Sequence, residues 1–548
     1  MATGKVYQYL IGSARKSKYP AVMGSEWTCN MYRGINGKQE YMESLPGLKS
    51  FQEIGGRCRG AYVSTIGLRA ENSPEDLFVV MGSILYRVDA YGHKTQLGRV
   101  ANNGYRVCFA EAGGPRALLL LVDGANMYYY DLLEGGELKP IQLPERINGN
   151  GGIITPSHVA VVAGSIVVND TGSGYVYYSQ PYPLNNAKRS MFQMETGSDG
   201  KQHVVYDGDG VTVKMQSVDS DKHVFEDDYG VQQYFNGESS SDNVNGLYAV
   251  GPTLYVFGPK SVDIFQRGSG DYEDWIRTSY TMTNSFGLEA PNSLASIGGS
   301  VYFVASGAQY GKCVMRVTGT NFERVSEDWL DDKLLEESTE SAYGFCYSAG
   351  EHSFYCLQLN SLHETWCCDM MDGEWHQRTS RDEVSELETQ WRVGCVSYYR
   401  EQFWAFTNDG LMCEFNKDYW YEDFPSGKKL PMIRQRQSAV ITDGLKPFTF
   451  EELTLECNVG THKFYGKPGV PAQEQMPKVL LRVSRDGGMT WGNTRTAYFG
   501  RTGEYSHRVR WMNLGYNRLC VLRITFSEPM DFVLTSCSVR AEATAEMI

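Results

Sequence analysis

The 548-residue sequence lacks the patterns that identify membrane proteins, secreted proteins and the common enzyme classes. Its longest unbroken apolar run, residues 117–122, is far shorter than the roughly 20 residues that a membrane-spanning helix needs. The N-terminus has no apolar signal region, so we expect synthesis in a reducing cytoplasm. There is no His-Glu-x-x-His set, phosphate-binding loop or Gly-x-Ser-x-Gly elbow. These absences leave no assembled catalytic motif.

Cysteine is present in an odd number, thirteen, and no two cysteines have Cys-x-x-Cys spacing. The adjacent pair Cys367 and Cys368 fits neither a zinc knuckle nor a usual disulfide. We interpret the cysteines as reduced side chains that fill the core. Clustered aspartates around residue 210 lack the spacing of a calcium-binding EF-hand, which favours a solvated acidic loop. No cofactor or metal is expected.

Charge is distributed unevenly along the chain, whose net charge is −14. Basic residues outnumber acidic ones by seven to three in residues 1–50 and by fifteen to eleven in residues 430–548. The middle of the chain is therefore strongly acidic, and residues 199–242 hold ten acidic side chains against three lysines. Because neutralising DNA phosphates requires Lys and Arg, the sequence argues against tight duplex binding. The acidic region either keeps the protein soluble or faces something that must not adhere to DNA.

A pattern of apolar strand, glycine-containing turn and second strand recurs along the first 430 residues. Its units begin near Leu77, Ala117, Val159, Leu247, Leu294, Ser341 and Arg392. A period of about 40–50 residues built from strands predicts the blades of a β-propeller, of which six or seven fit. The alternative is a set of unrelated hairpins in β-sandwiches. The doubled step after Val159 predicts an acidic insertion near residues 190–245, or one degenerate blade.

The pattern changes after residue 430, where longer strands alternate strictly between apolar and polar residues. This alternation predicts a separate antiparallel β-sandwich. We therefore predict an all-β protein with an N-terminal arm (residues 1–60) packing on the platform, a propeller (61–429) and a β-sandwich platform (430–548). One helix is expected, with Ser326 capping residues 327–335.

A local turn motif lies in the predicted sandwich. Ser484, Asp486, Gly488, Thr490 and Trp491 match the Asp-box pattern Ser-x-Asp-x-Gly-x-Thr-Trp. We expect the carboxylate to accept turn amides, the glycine to take a positive φ, and the tryptophan to pack beneath the hairpin.

Asp boxes are common in sialidase-type propellers, but a sialidase also needs several arginines, a tyrosine nucleophile and a partner glutamate. The sequence has one box, outside the repeats. Tyrosine clusters at residues 128–130, 175–178 and 419–421 suit sugar stacking or, more often, strand packing. A sialidase-like or glycan-binding propeller is therefore kept as the alternative function.

The C-terminal region resembles a known family. Residues 480–492, 500–505, 508–518 and 523–529 resemble the closing domain of the tail-hub or tail-nozzle (packaged-DNA stabilisation) proteins of short-tailed phages. Weaker similarity extends to residues 29–32, 44–48, 254–265 and 325–326. The acidic segment at about residues 199–242 departs from the family pattern, so its role is the least defined.

The resemblance implies a structural virion protein with no catalytic step. Six copies are expected to form a ring below the portal and its adaptor, to extend the DNA channel, and to retain the genome until ejection. A needle, plug, tailspike or fibre is expected at the distal end. On this basis the candidate platform and ring interface comprises Arg508, Arg510, Trp511, Arg518 and Arg523.

The same implication gives the acidic segment a candidate role as a channel wall. An acidic wall would repel DNA and lower friction during its exit. The candidate channel-facing residues are Asp207, Asp209, Asp219, Asp221, Glu226, Asp227 and Asp228.

Overall fold

A computed structural model describes most of the chain: residues 5–9, 26–36, 39–64, 76–89, 91–147, 152–237, 243–268, 275–278, 286–307, 311–338, 340–442, 446–461 and 476–543. In these residues the chain is almost entirely β-strand, with one α-helix. The strands form a propeller and a β-sandwich, which confirms the predicted fold class. None of the helical structure described is long and apolar enough to span a bilayer.

The N-terminal segment contributes strands to both domains instead of to the platform alone. These strands are β1 (Lys5–Tyr9), β2 (Trp27–Cys29), β3 (Met31–Asn36), β4 (Gln39–Ser44) and β5 (Gly47–Glu53).

The propeller starts with two regular four-stranded blades. Blade one contains β6 (Cys58–Val63), β7 (Leu77–Met81), β8 (Ile84–Val88) and β9 (Lys94–Arg99). Blade two contains β10 (Cys108–Ala112), β11 (Leu118–Val122), β12 (Met127–Asp131) and β13 (Lys139–Ile141).

Blade three is interrupted by a projecting hairpin. Its own strands are β14 (Val159–Val162), β15 (Ser165–Asn169) and β16 (Tyr175–Tyr178), and the hairpin then follows as β17 (Lys188–Phe192), β18 (Met194–Thr196), β19 (Gln202–Val204) and β20 (Met215–Asp219). The blade is completed by β21 (Tyr234–Asn236), which pairs with β16. We call residues 188–219 the arm; it is distinct from the N-terminal segment. The fourth strand of the blade therefore lies inside the region that the sequence suggested as an insertion.

Blades four and five come next, and the α-helix follows blade five. Blade four contains β22 (Gly246–Val250), β23 (Thr253–Phe257), β24 (Val262–Arg267) and β25 (Trp275–Arg277). Blade five contains β26 (Phe286–Leu288), β27 (Ala295–Ile297), β28 (Ser300–Gly307), β29 (Gly311–Thr318) and β30 (Asn321–Arg324), and α1 (Asp328–Glu336) follows it.

The helix forms close to its predicted place, but its predicted cap is wrong. Glu327 occupies the N-cap position and makes no side-chain capping bond. Ser326 instead accepts a hydrogen bond from the amide of Val314 and donates one to Asp331. The serine is therefore used to tie the helix to strand β29 of blade five. Leu330 and Leu334 are buried, as a one-sided packing helix requires.

The last two blades are connected to other parts of the chain. Blade six contains β31 (Tyr343–Ala349), β32 (His352–Leu359), β33 (Glu364–Asp369) and β34 (Trp375–Arg381), with β35 (Glu388–Gln390) on β34. Blade seven contains β36 (Val393–Tyr399), β37 (Gln402–Thr407) and β38 (Leu411–Asn416), followed by the hairpin β39 (Tyr421–Asp423) and β40 (Lys429–Pro431).

Strand β5 closes the propeller. It pairs antiparallel with β38, so an N-terminal strand completes a blade formed near residue 400. Gly47, at the start of β5, permits this approach because a Cβ there would lie 2.1 Å from the carbonyl oxygen of Tyr419. The described residues thus form a seven-bladed propeller, within the predicted six or seven.

The longest apolar runs in the sequence form the second strands of blades one and two. Every residue of β7 and of β11 is buried. A middle strand of a blade lies between neighbouring blades on both faces and therefore reads as a continuous apolar run. The predicted units that begin near Leu77 and Ala117 therefore start at the second strand of blades one and two. The first strand of each blade is the inner strand, which is more polar.

The sandwich is formed by the C-terminal strands β41 (Arg434–Gln437), β42 (Phe448–Cys457), β43 (Lys478–Ser484), β44 (Arg495–Tyr498), β45 (Val509–Asn517), β46 (Val521–Phe526) and β47 (Leu534–Ala543). One sheet has the order β3-β4-β47-β42-β45, with β1 also on β47. The other runs β2-β41-β46-β43-β44 and is continuous, through β2, with blade six. The rings of Phe526 and Phe532 stack 4.4 Å apart in the core between the sheets.

Asn30 joins the N-terminal segment to both domains. Its side-chain amide donates to the carbonyl and hydroxyl of Thr379 in blade six and to the carbonyl of Ile433 at the start of the sandwich. Its side-chain oxygen accepts the amide of Thr379 at 2.9 Å. The residue is 1% exposed and has a φ of 55°, a conformation that asparagine tolerates better than most residues. The position therefore requires both the asparagine side chain and its backbone tolerance.

We expect Asn30→Ala to lower the free energy of unfolding by about 3 kcal/mol, because buried partners lose their hydrogen bonds and the left-handed backbone becomes strained. Urea denaturation of the full chain measures the change. Asn102→Ala, at an exposed position, is the matched control and should stay within about 0.5 kcal/mol of the parent. Equal stability of the two variants would refute the junction role of Asn30.

Candidate functional site

The propeller axis holds a small cavity and not a passage. Inner-strand residues of all seven blades line it, and its volume is about 220 Å³. A duplex is far larger, since the major groove of B-DNA alone is about 12 Å wide. The axis of one propeller therefore cannot conduct double-stranded DNA.

Arg106 spans this cavity. It lies just before β10 of blade two, and its Nη1 donates to the carbonyl oxygens of Leu294 at 2.7 Å and Gly344 at 2.8 Å, and to that of Asn292 at 3.1 Å. These acceptors belong to blades five and six, across the axis from blade two. The arginine therefore links opposite sides of the ring of blades. No sequence pattern marks this role, because a lone arginine before a strand is not distinctive.

Two further polar groups lie close to the axis. The Tyr62 hydroxyl donates to Glu111 at 3.2 Å, and burial together with that carboxylate raises the pKa of Tyr62. His158 is 5% exposed, and burial, followed by the nearby Arg106 cation, lowers its pKa to about 3. The histidine is therefore neutral at physiological pH.

The arm projects from blade three with much apolar surface exposed. Tyr206, Val211 and Met215 are 54%, 79% and 47% exposed, and Tyr229 and Val231 in the loop that follows are also exposed. An isolated two-stranded hairpin has little stability of its own in water. This exposed apolar surface is consistent with a contact made in an assembly.

The seven candidate channel-facing acids fall into two separate groups. Asp207 and Asp209 lie in a turn between β19 and β20, where the hydroxyl and amide of Thr212 lower the pKa of Asp209 to about 2. Asp219, at the end of β20, binds Lys222 at 2.9 Å. The other four, Asp221, Glu226, Asp227 and Asp228, follow the arm in sequence.

Three residues of the second group contact one cation. The guanidinium of Arg189 donates to the carbonyl oxygens of Glu226 and Asp227 and to the carboxylate of Asp228. Arg189 and three lysines also leave the arm itself almost neutral, with five acidic and four basic residues. Part of the acidic segment therefore has a local structural role that the sequence did not reveal. Glu238 and Asp242, at its end, lie outside the described residues.

The Asp box forms the β43–β44 hairpin. The Asp486 carboxylate accepts the amide of Thr490 at 2.9 Å and hydrogen bonds from the hydroxyls of Ser484 and Thr490, which lower its pKa. Gly488 has a φ of 101°. These contacts are those expected of a structural turn.

The tryptophan of the box belongs to a cation–π ladder on the outer face of the sandwich. The Arg523 guanidinium lies 4.0 Å from the ring centroid of Trp491 and 5.4 Å from that of Trp27, and the Arg482 guanidinium lies 6.0 Å from Trp491. Arg523 also donates to Gln437. Burial and the Arg482 charge lower the pKa of Arg523. Alternation along β43 and β46 could have indicated that both arginines point outward.

The five candidate interface residues do not form one surface. Trp511 is 4% exposed in the sandwich core and donates to the carbonyl of Arg495, so it is not available to a partner, and that assignment was wrong. Arg508 and Arg510 are exposed beside one sheet, whereas Arg523 lies on the other sheet. Arg518 is exposed in the turn between them.

The structure offers no metal centre among the residues it describes. The cysteines are free thiols, ten of them buried and three half-buried, in agreement with a core-filling role. The tyrosine clusters are largely packing residues, since Tyr129, Tyr130 and Tyr177 are buried.

Two family models match the chain. That of the bacteriophage P22 Gp10 β-propeller covers residues 165–406, and that of the bacteriophage P22 Gp10 β-sandwich covers residues 433–542, together more than half of the sequence. The chain belongs to the tail-nozzle, or packaged-DNA stabilisation, family of short-tailed phages. It is a structural protein of the virion tail, where it assembles with other virion proteins and stabilises packaged DNA.

Solved structures with some similarity are other propellers. Virginiamycin B lyase from Staphylococcus aureus is 8% identical, with a TM-score of 0.37 over 67% of this chain and 97% of that chain. The N-terminal domain of Nup159 is 11% identical, with a TM-score of 0.34 over 71% of this chain and 98% of that chain. Such scores carry no argument about activity. A search of curated proteins gives no match.

The buried neutral His158 predicts a pH dependence of stability. Between its folded pKa of about 3 and the unfolded value of about 6.5, the unfolded chain binds a proton that the folded chain does not. Stability is therefore lost as the pH falls through this window, by about 1.4 kcal/mol per unit for this group.

His158→Gln should make the unfolding free energy fall less steeply between about pH 6 and pH 4. Urea titrations at several pH values measure the slope. His363→Gln, at an exposed turn residue between β32 and β33, is the control and should keep the slope of the parent chain. An unaltered slope in the His158 variant would show that this group does not contribute to the pH dependence.

Proposed function

We propose that six copies of the chain form a ring below the portal and its adaptor, and that packaged DNA leaves through the opening between the copies. The observation that carries this proposal is the closed axis of the propeller, which Arg106 spans. A nozzle protein needs a passage, and one propeller provides none. A heterologous contact repeated with closed cyclic symmetry creates a central opening.

The sandwich supplies the candidate contacts of this ring with its neighbours and the adaptor. Arg508, Arg510 and Arg518 are exposed on or beside one sheet, and the Arg482–Trp491–Arg523 ladder lies on the outside of the other. Arginine and aromatic side chains are enriched at protein interfaces. Two opposite faces suit a subunit that touches one neighbour on each side.

The arm is the candidate contact for a distal partner such as a needle, plug, tailspike or fibre. Its exposed apolar side chains support a role completed by another protein. The acidic residues in its β19–β20 turn, Asp207 and Asp209, are exposed and remain proposed as channel-facing groups. Their carboxylates would repel passing phosphates.

We further propose that the chain performs no catalytic step, is made in the host cytoplasm and acts in the virion tail. Tyr62 and Glu111 form the kind of pair that a sialidase uses, but the pKa of Tyr62 is raised, which disfavours the phenolate nucleophile. Arg106 is the one arginine among the described residues that line the cavity, and it binds backbone carbonyls.

A fluorogenic sialoside incubated with the purified chain should release no fluorophore above the rate of a Tyr62→Phe variant. Hydrolysis that this variant abolishes would favour the alternative, a sialidase-like propeller.

The ring itself can be tested by electron microscopy. Addition of the chain to purified portal–adaptor complexes should give particles with a sixfold ring of propellers and a central opening wide enough for a duplex, which is about 20 Å across. A Trp491→Ala, Arg523→Ala double variant should lower ring occupancy, because the sandwich ladder is lost. Lys49→Ala, on an exposed propeller side chain, is the control. Binding as single copies, or a ring too narrow for DNA, would contradict the proposal.

A further inference from the structure

Two buried cysteines from the first and last blades are in direct contact. The sulfur atoms of Cys58 in β6 and Cys395 in β36 lie 3.1 Å apart. The residues are 4% and 7% exposed and 337 positions apart in sequence. Both are free thiols. A disulfide bond has a length of about 2.05 Å, so a shift of about 1 Å brings the sulfurs to bonding distance.

The backbone on each side is shaped for this close approach. Strand β36 has a register shift between Val393 and Cys395, and a Cβ on the intervening Gly394 would lie 2.8 Å from the Cβ of Cys58. Strand β6 has a similar shift between Cys58 and Gly60. The intervening Arg59 is fixed by hydrogen bonds to carbonyls of Gly82, Ala101 and Tyr105. The contact is therefore held by two constrained strands.

The pair lies where the propeller closes. Blade seven is completed by the N-terminal strand β5, and the chain then continues directly into blade one. This junction is held by non-covalent contacts, among them the pairing of β5 with β38 and the hydrogen bonds from the amides of Ile54 and Gly55 to the carbonyl of Gly410. A covalent bond between β6 and β36 would join the first and last blades irrespective of the β5 pairing.

We propose that Cys58 and Cys395 form a modification site at which a peroxide produces a disulfide that locks the ring of blades. Cys395 borders the axial cavity, which is large enough to admit so small an oxidant. The Cys395 sulfur attacks the peroxide, breaks its O–O bond and becomes a sulfenic acid, and one water is released. The Cys58 sulfur then attacks the sulfenic sulfur, forms the S–S bond and releases a second water. Two thiols and one peroxide thus give one disulfide and two waters.

The two cysteines should be reduced while the chain folds and assembles, and oxidised to the disulfide later, in the released particle. A reducing cytoplasm keeps thiols reduced while the chain folds and assembles, and the surroundings of a released particle are more oxidising. Burial raises the pKa of Cys395, so little thiolate is present at neutral pH and the reaction is slow. Oxidation should therefore accelerate with rising pH.

The second close pair, Cys356 and Cys367, provides an internal contrast. Their sulfurs lie 2.9 Å apart on paired strands of blade six, and the residues are only 11 positions apart. A bond there would close a small hairpin and leave the ring of blades unlinked. The two pairs are therefore distinguishable by the size of the loop that a disulfide closes.

Treatment of the reduced, purified full-length chain with hydrogen peroxide tests the proposal. Remaining thiols are blocked with N-ethylmaleimide, and the product is run on a non-reducing denaturing gel. We expect a band that migrates faster than the reduced chain and reverts with dithiothreitol, because the bond closes a loop of more than 300 residues. Digestion should give a peptide pair that links Cys58 to Cys395.

Variants locate the bond. Cys395→Ser should abolish the fast band, whereas Cys413→Ser, which removes another buried thiol of blade seven, should keep it. The linked peptide from the unaltered chain tests the proposal even where a variant does not fold. Thirteen alkylated cysteines after treatment, separate sulfonic acids at Cys58 and Cys395, or a link confined to Cys356 and Cys367 would each overturn it.

Discussion

The side chain of Asn30 donates three hydrogen bonds and accepts one, and these bonds hold it to parts of the chain about 350 and 400 residues away. Around this residue, β2 joins blade six to one sandwich sheet, β3 and β4 extend the other sheet, and β5 completes blade seven. Neither domain is complete without residues 26–53. The orientation of the sandwich on the propeller and the closure of the propeller itself both depend on residues 26–53.

Buried arginines reinforce the same junction. Arg434 donates to the carbonyls of Glu528 and Met530 and lies 4.9 Å from the Phe526 ring centroid, and Arg436 donates to Thr28 beside Asn30. A buried guanidinium is costly unless its donors are used, so such contacts fix one arrangement of the domains.

Rigidity also characterises the propeller axis. Arg106 connects blades across the cavity, and the apolar middle strands pack on both faces. An axis with so small a cavity excludes a DNA duplex from the propeller.

Periodicity made the fold predictable from the sequence. Strands, glycine turns and a repeat of about 45 residues determine local hairpins, and the alternation after residue 430 indicated sandwich strands such as Phe448–Cys457 and Lys478–Ser484. The Asp box was also predictable, because its hydrogen bonds join residues six positions apart or fewer.

Tertiary structure alone decided which distant segments meet. The sequence predicted Trp511 at an interface, but alternation along β45 puts its side chain on the inner face of the sandwich. It gave no sign that β5 closes blade seven, that Arg106 reaches blades five and six, that Arg189 gathers acidic residues, or that Cys58 meets Cys395. Each of these contacts joins residues that no local period relates. The fold of the arm brings Arg189 to its acidic partners, and the closed ring of blades brings the other pairs within bonding distance.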